Sequence, residues 1–261
     1  MMRLSVAQRS ECGGRERNED ATGFCANETL GCFVLADGTG GYEGGAIASE
    51  SVVQQVLKHF SAAPQVDQAA IGASIEVARE ALQEARATHP QFPDMDTTIA
   101  VLMLDTEREL AYWSALGDSR IYLFRSGRAR TLTTDHSVLQ SMIDAGIFTG
   151  ELRGNRKRNL LYAAVGSEEV PDRVVCGKPL ALRSGDIFLL CSDGLWESID
   201  EETMEALLQQ TETPEEWTDE IMKAVPDPES PEQDNYSVLV VWVGEREDVT
   251  TRIMAPKPES A

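Results

Sequence analysis

Five aspartates share one context: each stands where an apolar run stops or starts. Asp20 follows Asn18-Glu19 and opens the run Ala21 to Ala26, while Asp37 follows Phe33-Val34-Leu35-Ala36. Asp118 lies in Leu-Gly-Asp-Ser-Arg after Tyr112 to Leu116, Asp193 follows Ile187 to Ser192, and Asp234 with Asn235 leads into Val238 to Val243. Apolar runs of this length, rich in β-branched and aromatic residues, read as strands, so several carboxylates are delivered at strand ends. Carboxylates, a backbone carbonyl and water are the ligand set of hard divalent cations such as magnesium or manganese. Other metal and nucleophile chemistries fit poorly. His59, His89 and His136 are scattered without a zinc pattern. Cys12, Cys25, Cys32, Cys176 and Cys191 contain no Cys-x-x-Cys pair, and none has an arginine six residues later, which disfavours a cysteine-nucleophile phosphatase.

The densest of these stretches is Cys32 to Gly45, where an apolar run ends in Asp37 and glycines 38, 40, 41, 44 and 45 lead into a helix. The glycine spacing is wrong for a dinucleotide loop, and a Gly-Lys-Ser/Thr phosphate loop is absent. Asp37 would itself repel a phosphate unless a cation stood between them. Taken alone, Asp37-Gly38 is a turn signal; recurrence of the pattern weighs against that reading.

The elements that must hold these residues follow from periodicity. Strands are expected at Leu4 to Gln8, Ala21 to Ala26, Leu30 to Ala36, Thr97 to Leu104, Leu110 to Leu116, Arg120 to Arg125, Arg173 to Lys178, Ile187 to Cys191 and Val238 to Val243. Helices are expected at Ala46 to Phe60 and Ala69 to Ala85, then at Ser137 to Ala145 with Asp135 as its cap, and twice between Cys191 and Val238. The second of these last two opens with the capping box Thr213-Pro214-Glu215-Glu216. Hairpin connections suit an α+β fold, with two antiparallel sheets packed face to face and covered by helices. One domain over residues 1–244 and a flexible tail over 245–261 is the simplest division. Gly146 to Asn159 has no period and is expected to be an exposed loop.

Net charge bounds the partners. With 23 Lys and Arg against 44 Asp and Glu, the chain carries −21, so neither nucleic acid nor an anionic membrane surface is expected as a partner. No apolar run approaches the roughly 18 residues needed to span a bilayer, and no apolar signal region follows Arg3. The unpaired cysteines read as reduced thiols, and the chain as cytoplasmic.

In order along nearly the whole chain, the sequence resembles the metal-dependent serine/threonine protein phosphatases, the type 2C or PPM family, and its compact bacterial members above all. The resemblance rests on R15-x-x-N18-E19-D20, A36-D37-G38-x-G40-G41, T97-T98, G117-D118-S119-R120, L132-T133-x-D135-H136-S137, A164-V165-G166, C191-S192-D193-G194-L195-W196 and D234-N235-Y236-S237. It implies a four-layer αββα sandwich and two or three divalent cations, manganese or magnesium. By the same resemblance, Asp37, Asp193 and Asp234 hold one ion. Asp37 bridges to a second, which takes the Gly38 carbonyl and waters held by Glu19 and Asp20. Asp118, shared with Asp193, holds a third, although a plain hairpin turn remains open for Asp118. Water between two cations is the attacking group, and Arg15 is the phosphate clamp, with a surface salt bridge as its alternative. The segment matching the family's flap beside the metal centre carries Arg153, Arg156, Lys157 and Arg158.

There are departures from the family. Thr39 stands where many animal members have a histidine acid, His136 suits a structural helix-entry role, and Asp96 replaces the usual glycine before the paired threonines. The function implied is hydrolysis of phosphoserine and phosphothreonine on proteins, reversing a bacterial serine/threonine kinase, by a monomer. Two alternatives stand beside it: a catalytically weak phosphoprotein sensor, and a partner-switching phosphatase with one dedicated substrate, whose appended sensor domain this chain has no room for. The ALGDSRIYL and DNYSVLVVW stretches also resemble phosphatases encoded with contractile secretion systems.

Overall fold

The structure is a computed structural model that describes residues 2–39, 43–148, 160–168, 171, 174 and 178–245. Its strands are β1 (Leu4–Glu11), β2 (Asp20–Ala26), β3 (Leu30–Thr39), β4 (Asp96–Thr97), β5 (Ile99–Asp105), β6 (Leu110–Leu116), β7 (Arg120–Arg125), β8 (Arg128–Thr131), β9 (Leu180–Ala181), β10 (Asp186–Cys191) and β11 (Tyr236–Val243). The helices are α1 (Gly44–Ala62), α2 (Gln68–Thr88), α3 (Val138–Asp144), α4 (Asp193–Trp196), α5 (Glu201–Leu208) and α6 (Pro214–Ala224). One sheet has the order β1-β11-β10-β7-β8; the other runs β2-β3-β5-β6-β9, with β4 added beside the end of β3. All of these pairings are antiparallel.

Side-chain alternation along the strands builds the four layers. In β3, Phe33 and Leu35 face the space between the sheets, together with Leu102, Leu104, Ile121, Leu123, Phe188, Leu190, Leu239 and Val241. The intervening Cys32, Val34 and Ala36 face the other way, under Val52, Val56, Ile71, Ile75 and Leu82 of α1 and α2. In β11 the same two-residue period sends Val238, Val240 and Trp242 outward beneath Met204, Leu208, Trp217 and Ile221 of α5 and α6. A strand with both faces covered has no polar position to spare, which is why these runs lack alternation.

The expected αββα arrangement is therefore present, with local corrections. The strand expected from Thr97 to Leu104 is two strands divided at Thr98. Likewise β3 does not stop at Ala36: its Gly38 and Thr39 pair with Thr97 and Asp96, after Leu35 has paired with Ala100 of β5. Asp37 thus lies inside the strand, where β3 exchanges one partner for another. Strands β8 and β9 and the single turn α4 were not anticipated. Ser137, not Asp135, caps α3, its hydroxyl accepting from the Gln140 N–H at 3.1 Å. The strand expected at Arg173 to Lys178 falls mostly outside the described residues, as do residues 149–159 with Arg153, Arg156, Lys157 and Arg158, and the tail from 246 onward. Among the described residues no helix is long and apolar enough to cross a membrane.

Candidate active site

Antiparallel register brings the chemistry to one end of the sandwich. Asp20, opening β2, is the register partner of Asp37 in β3. Ile99 at the start of β5 pairs with Leu116 at the end of β6, so the turn carrying Asp118 opens at that same end. Cys191, ending β10, pairs with both Arg120 and Val238, which sets Asp193 and Asp234 beside Asp118. Arg15, Glu19, Asp37, Gly38, Asp118, Asp193 and Asp234 all line one open cleft of about 430 Å3. Asp20 does not line it but stands immediately behind. Glu16, Arg17, Thr39, Thr98, Leu161 and Asn235 complete the walls without having been assigned to a site from sequence. Thr98 and Asn235 fall within family motifs; Glu16, Arg17 and Leu161 carried no signal.

Each acidic group is held by its local backbone. Asp37 is gripped at its main chain: its N–H donates to Thr98 Oγ1 at 3.0 Å, and its carbonyl accepts from the Thr98 N–H at 2.8 Å and the Thr97 hydroxyl at 2.9 Å. The Asn235 side chain ties two loops together, accepting from the Glu19 N–H at 2.8 Å and donating to the Cys12 and Arg17 carbonyls at 2.8 Å each. That lashing sets Arg15 against Asp234, with Nη2 to Oδ2 at 2.9 Å. Gly13, at φ +61°, and Gly14 permit it, because a Cβ on either would strike the main chain of residues 230–234. Gly45 at the start of α1 is required likewise, since a Cβ there would occupy the position of the Glu19 carboxylate.

The electrostatics are unfavourable for the carboxylates alone. Burial, then repulsion from Asp20, Asp193, Asp118 and Asp234, pushes the Asp37 carboxyl well above the usual range. Asp118 is pushed up by burial and next by Asp193, and Glu19 by burial and next by Asp234, with Arg15 opposing. For Asp20 the value reaches about 7, burial outweighing the Ser192 and Ser237 hydrogen bonds that favour its charge. Its Oδ2 accepts from the Ser192 hydroxyl at 2.6 Å, but its buried Oδ1 has no partner. An all-oxygen donor set, mutually repelling carboxylates and an orphaned buried oxygen are what a hard divalent cation would satisfy. The carboxylates line the walls of the cleft, and among the described residues no three His, Cys, Asp or Glu side chains already close on one ion-sized gap.

Two buried groups stand behind this site. Arg120 forks onto Asp135 at 2.9 and 2.7 Å and lies flat on Trp196, 3.5 Å from the ring centroid. The Trp196 indole N–H donates to the Asp118 carbonyl at 2.9 Å. His136 is buried against Tyr162, and its Nδ1 accepts from the Gly117 N–H at 3.2 Å. Burial pushes its pKa down, and it is not among the residues lining the cleft.

An αββα sandwich with an acid-lined cleft at one end, fitted to hard cations, is the class that fold and site define. The family model described as "Protein phosphatase 2C" matches residues 7–227, and the chain belongs to that family. It is similar to the serine/threonine protein phosphatase PstP of Mycobacterium tuberculosis, 32% identical over 216 residues, covering 81% of this chain and 40% of that one. The chain thus spans about two fifths of PstP. It is 30% identical over 221 residues to the serine/threonine phosphatase stp of Listeria monocytogenes, covering 78% of this chain and 82% of the relative. The solved catalytic domain of PstP, in complex with two manganese ions, superposes with a TM-score of 0.78 at 28% identity, covering 94% of this chain and all of the other.

Proposed function

We propose that this chain is a metal-dependent protein phosphatase acting on phosphoserine and phosphothreonine, with its catalytic unit in residues 1–244. The observation that carries the reading is the convergence of Arg15, Glu19, Asp37, Asp118, Asp193 and Asp234 on one cleft in a chain of the type 2C family. Asp37, Asp193 and Asp234 would hold one divalent cation, manganese or magnesium. Asp37, the Gly38 carbonyl, Glu19 and Asp20 would serve a second, and Asp118 with Asp193 a third. Such cations supply charge neutralisation and lower the pKa of water enough to make it a nucleophile near neutral pH.

The chain's own groups do the rest. Arg15 is half-exposed at the cleft, and its planar fork can exchange the Asp234 carboxylate for two phosphate oxygens. Thr97 and Thr98 fix the Asp37 main chain, so its carboxylate does not drift when charge enters the cleft. His136, buried and bonded to the Gly117 turn, is not placed to protonate the leaving hydroxyl. The openness of the cleft suits a phosphorylated side chain on a large partner, so phosphoproteins, the products of a serine/threonine kinase, are the proposed substrates. All four described cysteines are free thiols, in keeping with a cytoplasmic protein.

Phosphate release from a phosphothreonine peptide, measured with manganese and again with chelator, tests the proposal. Activity is expected only with the metal. Asp37→Asn and Asp193→Asn should each lose several orders of magnitude in turnover while remaining folded. Normal turnover in either variant overturns the site.

A further inference from the structure

Residues 160–168 are hydrogen-bonded at both ends to elements that carry carboxylates. At the first end, Leu161 bridges to Ser137, the Val138 N–H donates to the Leu160 carbonyl at 2.9 Å, and the Tyr162 N–H donates to the His136 carbonyl at 2.9 Å. The His136 N–H in turn donates at 2.8 Å to the carbonyl of Gly117, which precedes Asp118. At the other end, the Val165 N–H donates to the Thr97 carbonyl at 3.0 Å, and Thr97 is one of the two threonines that grip Asp37.

That second end is fastened by Asp96. Its Oδ1 accepts from the Gly166 N–H at 2.7 Å and from the Thr97 N–H at 2.8 Å. Its Oδ2 lies 3.8 Å from Nη2 of Arg86 on α2. Arg79, also on α2, donates to the Val165 and Ser167 carbonyls at 3.0 and 2.8 Å. The approach is close: a Cβ on Gly166 would strike Arg86 and Asp96. At the first end, Leu161 also forms part of the cleft wall.

We infer that residues 160–168 form a strap setting Asp37 relative to Asp118, and that Asp96 is the positioning residue that secures it. The inference rests on the reading of Asp37 and Asp118 as cation ligands, whose geometry depends on the groups that orient them. Manganese binding by titration calorimetry, alongside thermal unfolding without metal, separates positioning from mere stabilisation. Asp96→Ala removes both acceptor contacts and should weaken manganese binding roughly tenfold. Asp96→Asn keeps an oxygen for the Gly166 and Thr97 N–H groups and should restore most of the affinity. If Asp96→Ala melts earlier but binds manganese like the parent, the strap is only a brace and the inference is overturned. Should Asp96→Ala fail to fold, Arg79→Met carries the test, because it releases the strap's two carbonyls without touching Asp96; unchanged affinity there is equally fatal. Asp37→Asn is the control. If it loses manganese binding while the strap variants keep theirs, only the strap is refuted; if it binds like the parent, the site reading fails and takes the strap with it.

Discussion

Asp20 offers the sharpest test of the electrostatics, because its carboxyl is buried with one oxygen bonded to Ser192 and the other unpartnered. In the unfolded chain it titrates near 3.8; in the folded protein near 7. The folded state therefore binds the proton more tightly, and metal-free stability must fall as pH rises between those two values and level off above the upper one. At about 1.4 kcal/mol per pH unit the ionised carboxyl costs at most about 4 kcal/mol, and part of that belongs to the neighbouring carboxylates Asp193 and Asp234, with which it titrates as one set, leaving about 2 kcal/mol. Asp20→Asn removes the charge while keeping the shape and an acceptor for Ser192. In chelator at pH 8 it should raise the melting temperature by about 4 to 8 °C, at about 2 to 4 °C per kcal/mol for a chain of this size.

The pH profile and the metal distinguish this from ordinary stabilisation. At pH 5 the variant's advantage should shrink to roughly two fifths of its pH 8 value, because the loss accrues only above the unfolded value of 3.8, and it should vanish below about pH 4. Adding manganese at pH 8 should raise the parent more than the variant, because a cation favours the charged carboxylate. Differential scanning fluorimetry at pH 5 and pH 8, with and without manganese, provides all four comparisons. A variant that melts no higher than the parent in chelator at pH 8, or shows the same gain at both pH values, refutes the argument.

Other outcomes follow from the same geometry. Arg15→Lys keeps the charge but loses the fork, so KM for phosphopeptides should rise by a factor equivalent to about 1 to 3 kcal/mol; unchanged steady-state constants would leave Arg15 as a salt-bridge partner of Asp234. Cys191→Ser should keep its activity, because burial pushes that thiol up and makes it a poor nucleophile; inactivation in a folded, metal-loaded protein would contradict this. Replacing Arg153, Arg156, Lys157 and Arg158 together with Gln should lower kcat/KM for acidic phosphopeptides in a salt-dependent way, and spare para-nitrophenyl phosphate. Equal effects on both substrates would refute steering by that segment.

What could be read from the sequence was what local patterning decides. Cys32 to Ala36 announced a strand covered on both faces because five successive apolar residues leave no solvent side, and that strand does lie between α1 and the sheet of β1, β11, β10, β7 and β8. Carboxylates at the ends of such runs had to gather wherever antiparallel pairing gathers strand ends, so the cleft followed from the same pattern. The misreadings occurred where a distant partner outcompeted a local one. Asp135 has the type and position of a helix cap, but the buried Arg120 guanidinium, stacked on Trp196, takes both of its oxygens. A desolvated cation left unpaired costs far more than one capping bond, so Ser137 caps the helix instead. Thr98 looks like a strand residue, yet its hydroxyl is committed to Asp37 and Ser119, and the ladder divides there. Asp96 had no readable role because its partners, Gly166 and Arg86, lie 70 residues ahead in one direction and on the preceding helix in the other. These tertiary overrides fall beside Asp37 and Asp118. A cation site needs carboxylates held against their own repulsion, and local propensity supplies no such force, so the sequence around them is committed to distant partners that periodicity does not reveal.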